Sequence, residues 1–150
     1  MGVFILGDVM KRMELERYNN KILICLAKQK NNPEFDKMVR EIIAERVIFS
    51  NYPYLYTYRK YKSSDGIEKL AYGDALATHL MNGEYLIETE VLDNLLPTLS
   101  IEMLCDLSNN KNEYIRDNAR SCFINNMGVE LEEVVITRPK VKNKLIRKGD

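Results

Sequence analysis

Residues 90–127 have the sequence EVLDNLLPTLSIEMLCDLSNNKNEYIRDNARSCFINNM, and this stretch decides the fold. Pro97 cannot donate a backbone hydrogen bond inside a helix, so a new helix is expected after it, with Ser100 as its N-cap. Apolar side chains cover one broad face up to Ser108, and a polar turn of three Asn and one Lys follows. The pattern predicts two short helices that pack against each other and against a third layer.

The second of these helices is expected to begin at Glu113, because a carboxylate stabilises the positive end of a helix. Gly128 stands where the end of a helix favours a residue with positive φ. Between them, apolar side chains recur at helical spacing. They are Ile115, Ala119, Cys122, Phe123 and Met127.

The residues DLSNNKNEYIRDNAR, at positions 106–120, resemble the turn and second helix of a HEAT-type or armadillo-type repeat. In that family an Asp near the end of the first helix precedes a short turn, and an aliphatic-Arg pair then leads to a small residue. The matching residues are Asp106, Ile115, Arg116 and Ala119. The resemblance covers one unit at about 90–127, and it implies stacked helical hairpins and a role in protein scaffolding.

Arrays of such repeats need several stacked units to bury a continuous core, so the resemblance implies further copies in the chain. A shift of 80 residues places Leu23–Val47 over Met103–Met127 without a gap, and the apolar positions coincide. This agreement indicates a second unit at about 20–48. Any two amphipathic helical hairpins can also be aligned in this way, so both interpretations stay open. A middle unit would have to come from Asp65–Leu80, which matches poorly.

The segment Asn51–Lys62, NYPYLYTYRKYK, has the most unusual composition in the chain. Four of its tyrosines alternate, so in an extended conformation they share one face. Aromatic residues and Pro53 favour extended structure, and we predict a strand here. After the turn at Asp65 and Gly66, Ile67–Tyr72 could pair back as a β-hairpin; the alternative is a helix from Ile67 to Met81.

Beyond Gly128 the composition changes to mostly β-branched apolar residues, which predicts a strand from Val129 to Thr137 that Pro139 ends. The fold class that follows is mainly α, with antiparallel helical hairpins of HEAT-like type and a small β element from the Tyr-rich segment and the C-terminal strand. We predict a single mostly helical domain over residues 1–137 and a basic tail over residues 138–150.

The Tyr-rich segment and the tail supply the predicted binding residues. Aromatic rings beside cations can stack on bases while phosphates are neutralised. The same rings can also pack on helices with their hydroxyls in solvent, or anchor a protein partner. The residues are Tyr52, Tyr54, Tyr56, Tyr58, Arg59, Lys60, Tyr61, Lys62, Arg138, Lys140, Lys142, Lys144 and Arg147.

Charge is segregated along a chain whose formal net charge is zero. Residues 1–62 carry 12 Lys and Arg against 7 Asp and Glu, and residues 63–110 carry 1 against 9. Residues 111–136 carry 3 against 5, and residues 137–150 carry 6 against 1. Two basic ends therefore flank an acidic middle. Such blocks can attract a polyanion or a complementary protein, or they can neutralise each other within the fold.

No nucleophile elbow, phosphate-binding loop, dinucleotide fingerprint or zinc-ligand spacing is present in the sequence. Cys25, Cys105 and Cys122 each lie on a predicted apolar face, so we predict buried thiols without metal or disulfide chemistry. A single histidine excludes a His-rich metal site. An acidic cluster, Glu84, Glu88, Glu90 and Asp93, is interpreted as a solvated face. The prediction is a non-catalytic protein that needs no cofactor and no metal.

The leading hypothesis is a non-catalytic intracellular adaptor that presents helical and Tyr-rich surfaces to a larger protein partner or assembly. The alternative is a nucleic-acid-binding protein that uses residues 52–62 and the basic tail. The opening MGVFILGD has too short an apolar run for a secretion signal or a membrane span, which favours a cytoplasmic protein without membrane contact. Abundant Lys, Asn, Ile and Tyr indicate an AT-rich genome, and hence an accessory protein of a phage or a low-GC bacterium.

Overall fold

The computed structural model describes residues 11–127, and the side chains of residues 11–125. Residues 11–15 are helical, and further helices follow along the described part of the chain. They are α1 (Asn20–Lys30), α2 (Pro33–Phe49), α3 (Tyr54–Ser63), α4 (Gly66–Met81), α5 (Thr89–Leu95), the 3₁₀ helix Leu96–Thr98, α6 (Ile101–Leu107) and α7 (Glu113–Met127). The prediction of a mainly α fold is confirmed, and residues 11–127 contain no β-strand.

Contacts along the chain define two compact units, Met1–Ala75 and Leu76–Asp150, with the boundary inside α4. The division into one domain over 1–137 and a tail over 138–150 stays a prediction. The predicted strand Val129–Thr137 and the whole basic tail lie outside the described residues.

In the first unit, α1 and α2 pack against each other, and an asparagine cap sets the start of each helix. The side-chain oxygens of Asn19 and Asn32 each accept a backbone hydrogen bond at 2.9 Å. Asn31, between the helices, has φ 46°, a left-handed angle that Asn tolerates well. The apolar faces of both helices are buried, as predicted for Leu23–Val47. The buried residues are Leu23, Ala27, Phe35, Val39, Ile42, Ile43, Ala44 and Val47.

The Tyr-rich segment is a helix, so the predicted β element is wrong at this position. Asn51 lies in the turn between α2 and α3 and has φ 55°. Pro53 occupies the N-cap position of α3. Proline is well suited to the start of a helix, because its fixed φ is compatible and its missing N–H has no partner there in any case. When tyrosines occupy every second position, some of them are also four residues apart. Side chains four residues apart lie next to each other on a helix, so the same pattern fits a helix as well as a strand.

The alternative prediction for residue 67 onwards is the correct one, because α4 runs from Gly66 to Met81. Gly66 has φ 55°, a left-handed angle that glycine adopts easily. This angle changes the direction of the chain between α3 and α4. Within the first unit, Arg40 of α2 donates two hydrogen bonds to the carboxylate of Asp74, at 2.9 and 2.7 Å. This bidentate pair fixes the orientation of both side chains.

The second unit contains the helices predicted over residues 90–127. Pro97 lies in the 3₁₀ helix, and the Ser100 hydroxyl caps α6 by accepting a hydrogen bond from the Met103 amide at 3.2 Å. α6 and α7 pack against each other, as predicted. The side chains that form the core of this unit are fully or almost fully buried. They include Leu92, Leu95, Leu96, Leu104, Leu107, Ile115, Ala119 and Phe123.

Cys105 and Cys122 are buried, as predicted, but Cys25 is exposed. Cys25 lies between Leu23 and Ala27 of α1, whose side chains form the buried face of that helix. A residue two positions from Leu23 is rotated by about 200° around a helix, and it therefore faces away from the core. The prediction of a buried thiol is wrong for Cys25 because the apolar face of α1 is narrower than its sequence indicates.

Candidate binding surface

Four tyrosines of the segment Asn51–Lys62 form two ring pairs on α3 and its N-terminal approach. The ring centroids of Tyr52 and Tyr56 are 4.4 Å apart, and those of Tyr54 and Tyr58 are 5.8 Å apart. Both pairs are tilted, an arrangement that is favourable for aromatic quadrupoles. In each pair the partners are four residues apart, which brings them onto neighbouring turns of the helix.

A lysine extends each ring pair by one more turn. Lys60 Nζ lies 5.8 Å from the centroid of the Tyr56 ring, and Lys62 Nζ lies 5.4 Å from that of Tyr58. These distances are within the range of cation–π attraction. Arg59, which directly precedes Lys60 in sequence, is also exposed. The helix therefore carries its cations in fixed positions beside aromatic rings.

The opposite face of α3 anchors the helix to the first unit. Thr57 and Tyr61, one turn apart, are both buried. Burial raises the pKa of the Tyr61 phenol. Lys69 Nζ donates a hydrogen bond to the Tyr61 carbonyl at 3.0 Å and lies 4.4 Å from the centre of the Tyr61 ring. Tyr61 is thus a structural residue, whereas Tyr52 and Tyr56 are exposed and Tyr54 and Tyr58 are half-buried.

A buried phenol of α4 supports the exposed ring of Tyr56. Tyr72 is buried, and its pKa is raised to about 12, first by burial and then by its proximity and hydrogen bond to Tyr56 and by the negative charge of Glu68. The hydrogen bond between the two phenols restrains Tyr56. A restrained aromatic ring loses little conformational entropy when a partner covers it.

Large apolar side chains are exposed where α2 ends and α3 begins. Phe49 is 82% exposed and Leu55 is 61% exposed, and Ile48, Tyr52 and Tyr56 are exposed to smaller extents. All five lie within nine consecutive residues of the chain. We call this set, Ile48, Phe49, Tyr52, Leu55 and Tyr56, the corner surface. Scattered apolar residues are normal on a protein surface, whereas large contiguous apolar patches are typical of interaction sites. Within the corner surface, the rings of Tyr52 and Tyr56 are in contact.

The chain segment that contains the corner surface carries only positive charge, and Glu68 of α4 lies near Tyr72, beside Tyr56. Residues 46–64 contain four Lys and Arg and no Asp or Glu. Three of these cations, Arg59, Lys60 and Lys62, follow the corner surface on α3. A ligand that covers the corner surface therefore meets an apolar centre with positive charge along one side.

The structure places part of the predicted site and adds to it. Tyr52, Tyr56, Arg59, Lys60 and Lys62 are exposed, and the predicted tail residues lie outside the described part. Phe49, Ile48 and Leu55 were not predicted as binding residues. Phe49 lies beyond Val47, the last buried residue of α2, and its sequence alone does not distinguish it from a buried residue.

No metal or catalytic site emerges from the described residues. Among residues 11–127, no three His, Cys, Asp or Glu side chains are placed to hold a metal ion together. A cavity of about 310 Å³ lies beside the N-terminus of α2 and is lined by Lys11, Lys30, Asn32, Glu34, Phe35 and Met38. The two lysine ammonium groups lie 5.4 and 5.2 Å from the Phe35 ring centroid.

No family model matches the chain, and no curated protein and no solved structure is significantly similar to it. None of the helices within residues 11–127 has both the length and the apolar character needed to cross a membrane.

Proposed function

We propose that this chain is a non-catalytic binding protein that docks on a larger protein partner or into an assembly through the corner surface. The observation that carries the proposal is the exposure of five large apolar side chains where α2 ends and α3 begins: Ile48, Phe49, Tyr52, Leu55 and Tyr56. The partner should present apolar side chains flanked by carboxylates, because Arg59, Lys60 and Lys62 follow the corner surface on α3.

The corner surface has the properties of an interface centre. Its aromatic residues bring large contact areas with few rotatable bonds, and Tyr is enriched among the residues that dominate binding energy. Full burial of a Phe or Leu side chain contributes roughly 1.5–3 kcal/mol. Phe49 and Leu55 can each contribute a large part of this free energy on binding, since both are mostly exposed in the free chain. The flanking cations would raise the association rate and select for an acidic rim.

The rest of the chain serves as the scaffold in this proposal. α1 with α2, and α6 with α7, are packed helix pairs. We interpret them as antiparallel hairpins of HEAT-like type, as the resemblance around Asp106 and Arg116 implies. Within the first unit, the packing of α1 on α2 and the burial of Thr57 and Tyr61 of α3 would hold the corner surface rigid, so that binding costs little ordering of the backbone.

Nucleic acid is the second candidate ligand, and the placement of Lys60 and Lys62 beside tyrosine rings favours it. Against it, the ring pairs already occupy part of the faces on which bases would stack. Because the chain has no Trp, its tyrosine emission can follow a titration with short single-stranded DNA and RNA at two salt concentrations. Tight binding that weakens steeply as salt rises would favour nucleic acid over a protein partner.

The protein-partner proposal is tested by affinity capture from cells of the native host followed by quantitative mass spectrometry. The variant Phe49→Ser/Leu55→Ser removes the apolar centre of the corner surface, and Met13→Ser/Ile124→Ser removes two other exposed apolar side chains as a matched control. We expect the first variant to recover at least about tenfold less partner, corresponding to about 1.4 kcal/mol or more, and the control to recover it like the parent chain. Circular dichroism verifies that both variants are folded. Equal recovery by the two variants would disprove the role of the corner surface.

A further inference from the structure

A second exposed apolar feature lies in the other unit, on the connection between α4 and α5. Tyr85 is 52% exposed and Leu86 is 72% exposed, and Glu84 and Glu88 are exposed on either side. We call residues 84–88 the acidic loop. It contains two acids, two exposed apolar residues and one buried apolar residue, Ile87.

The backbone of the acidic loop is held at both ends. At its start, Gly83 has φ 112°, and the Glu84 amide donates a hydrogen bond to the His79 carbonyl at 3.1 Å. At its end, the Tyr114 hydroxyl lies 3.3 Å from the Ile87 carbonyl, to which it donates, and 2.9 Å from the hydroxyl of Thr89. Burial of Ile87 fixes the loop further.

The tip of the loop is a tight turn that displays Leu86. The Ile87 amide donates a hydrogen bond to the Tyr85 carbonyl at 3.0 Å, which closes a three-residue turn with Leu86 at its centre. Leu86 is held at the centre of this turn with most of its surface in solvent. Exposure of this apolar surface to water is unfavourable in the isolated chain. Such a side chain is suited to insertion into an apolar surface of another molecule.

The charge around the acidic loop is the opposite of that around the corner surface. Residues 70–110 contain seven Asp and Glu and no Lys or Arg. Residues 46–64 contain four Lys and Arg and no Asp or Glu. Each feature thus combines exposed apolar side chains with charge of a single sign, and the two signs are complementary. The acidic loop therefore combines the exposed apolar side chains and carboxylates that are expected of a partner of the corner surface.

We propose that the acidic loop of one copy of this chain docks on the corner surface of a second copy. This inference rests on the proposed function, since it names the partner of the same surface. The contact uses two different surfaces, so it is heterologous, and each added copy leaves one surface of each kind available. Assembly therefore grows head to tail with concentration into an open chain or a closed ring. Because opposite charges meet, salt weakens it.

The test is sedimentation velocity of the full chain, at 5–500 μM (about two decades, chosen to span micromolar affinities) and at low and high salt. We expect the average mass to rise with concentration, and the apparent Kd to increase at least about fivefold at high salt. Leu55→Asp disables the corner surface, and Leu86→Lys disables the acidic loop. Both side chains are mostly exposed, so the variants should fold. Each variant alone is expected to remain monomeric.

Mixing the two variants gives the decisive result. Leu55→Asp retains its acidic loop and Leu86→Lys retains its corner surface, so one productive contact remains and a 1:1 heterodimer that grows no further is expected. Met13→Asp and Ile101→Lys, at other exposed apolar positions, are the matched controls and should assemble like the parent chain.

Three outcomes overturn the inference: a parent chain that is monomeric throughout, assembly that survives Leu86→Lys, or a mixture of the two variants that stays monomeric. If one of these occurs while Phe49→Ser/Leu55→Ser still loses a captured host protein, the corner surface binds another protein and the proposed function stands. If neither self-assembly nor captured partner depends on the corner surface, both proposals fail.

Discussion

Alkaline pH is expected to destabilise this chain through Tyr72, whose neutral phenol is buried and hydrogen-bonded to Tyr56. In the folded chain the pKa of Tyr72 is raised to about 12 from its ordinary value of 10. Because the folded-state pKa lies above the unfolded one, the stabilising contribution is fully present below pH 10. It is lost as the pH rises from 10 to 12, since the unfolded chain then releases a proton that the folded chain retains.

The size of the effect follows from the shift. One pKa unit corresponds to about 1.36 kcal/mol, so a shift of about two units is worth about 2.7 kcal/mol once the pH exceeds 12. Replacement by phenylalanine removes the titrating group and keeps the ring. Tyr72→Phe should itself cost about 1 kcal/mol at neutral pH, through the lost hydrogen bond with Tyr56.

Urea unfolding followed by circular dichroism, at intervals from pH 8 to pH 12, measures the effect. We expect the free energy of unfolding of the parent chain to fall about 2–3 kcal/mol further than that of Tyr72→Phe over this range. Tyr18→Phe, at an exposed tyrosine of the same unit, is the control and should follow the parent chain. Parallel pH dependences for the parent chain and Tyr72→Phe would refute the reasoning, because lysines and the other tyrosines titrate alike in both.

Three further predictions concern the fold. Phe123→Ala should lower the free energy of unfolding by about 3–5 kcal/mol in urea, whereas Ile124→Ala, at a half-exposed neighbour, should change it by less than about 1 kcal/mol. Ser100→Ala removes the hydroxyl that caps α6 and should cost about 1 kcal/mol, measured in the same way, while Ser100→Asp should retain most of it. A thiol reagent should modify Cys25 within the mixing time and the two buried cysteines only on unfolding; three equal rates would contradict the burial described above.

The helical core could be predicted from the sequence because its signals are local. Apolar residues recur at helical spacing from Ile115 to Phe123, and Ser100, Pro33 and the paired asparagines near position 31 mark where helices begin and end. These are properties of neighbouring residues, so they act in the same way in the isolated chain and in the fold.

The binding surface could be predicted only in part. The tyrosines and lysines of residues 52–62 stand out by composition, but their alternation fits both a strand and two stacks on a helix. Packing selected the helix over the strand, because Thr57 and Tyr61 are four residues apart and a helix buries both on the same side. Phe49 and Leu86 were missed, since an exposed apolar residue has the same local pattern as a buried one.

The sequence by itself determined that this chain folds mainly into helices, where most of them begin, and which side chains form the core of each pair. Only the tertiary structure decided the helical state of the tyrosine segment, the exposure of Cys25 and the apolar residues that remain in solvent at Phe49 and Leu86. The physical reason is that helix formation depends on contacts within a few residues, whereas solvent exposure depends on what the rest of the chain leaves uncovered.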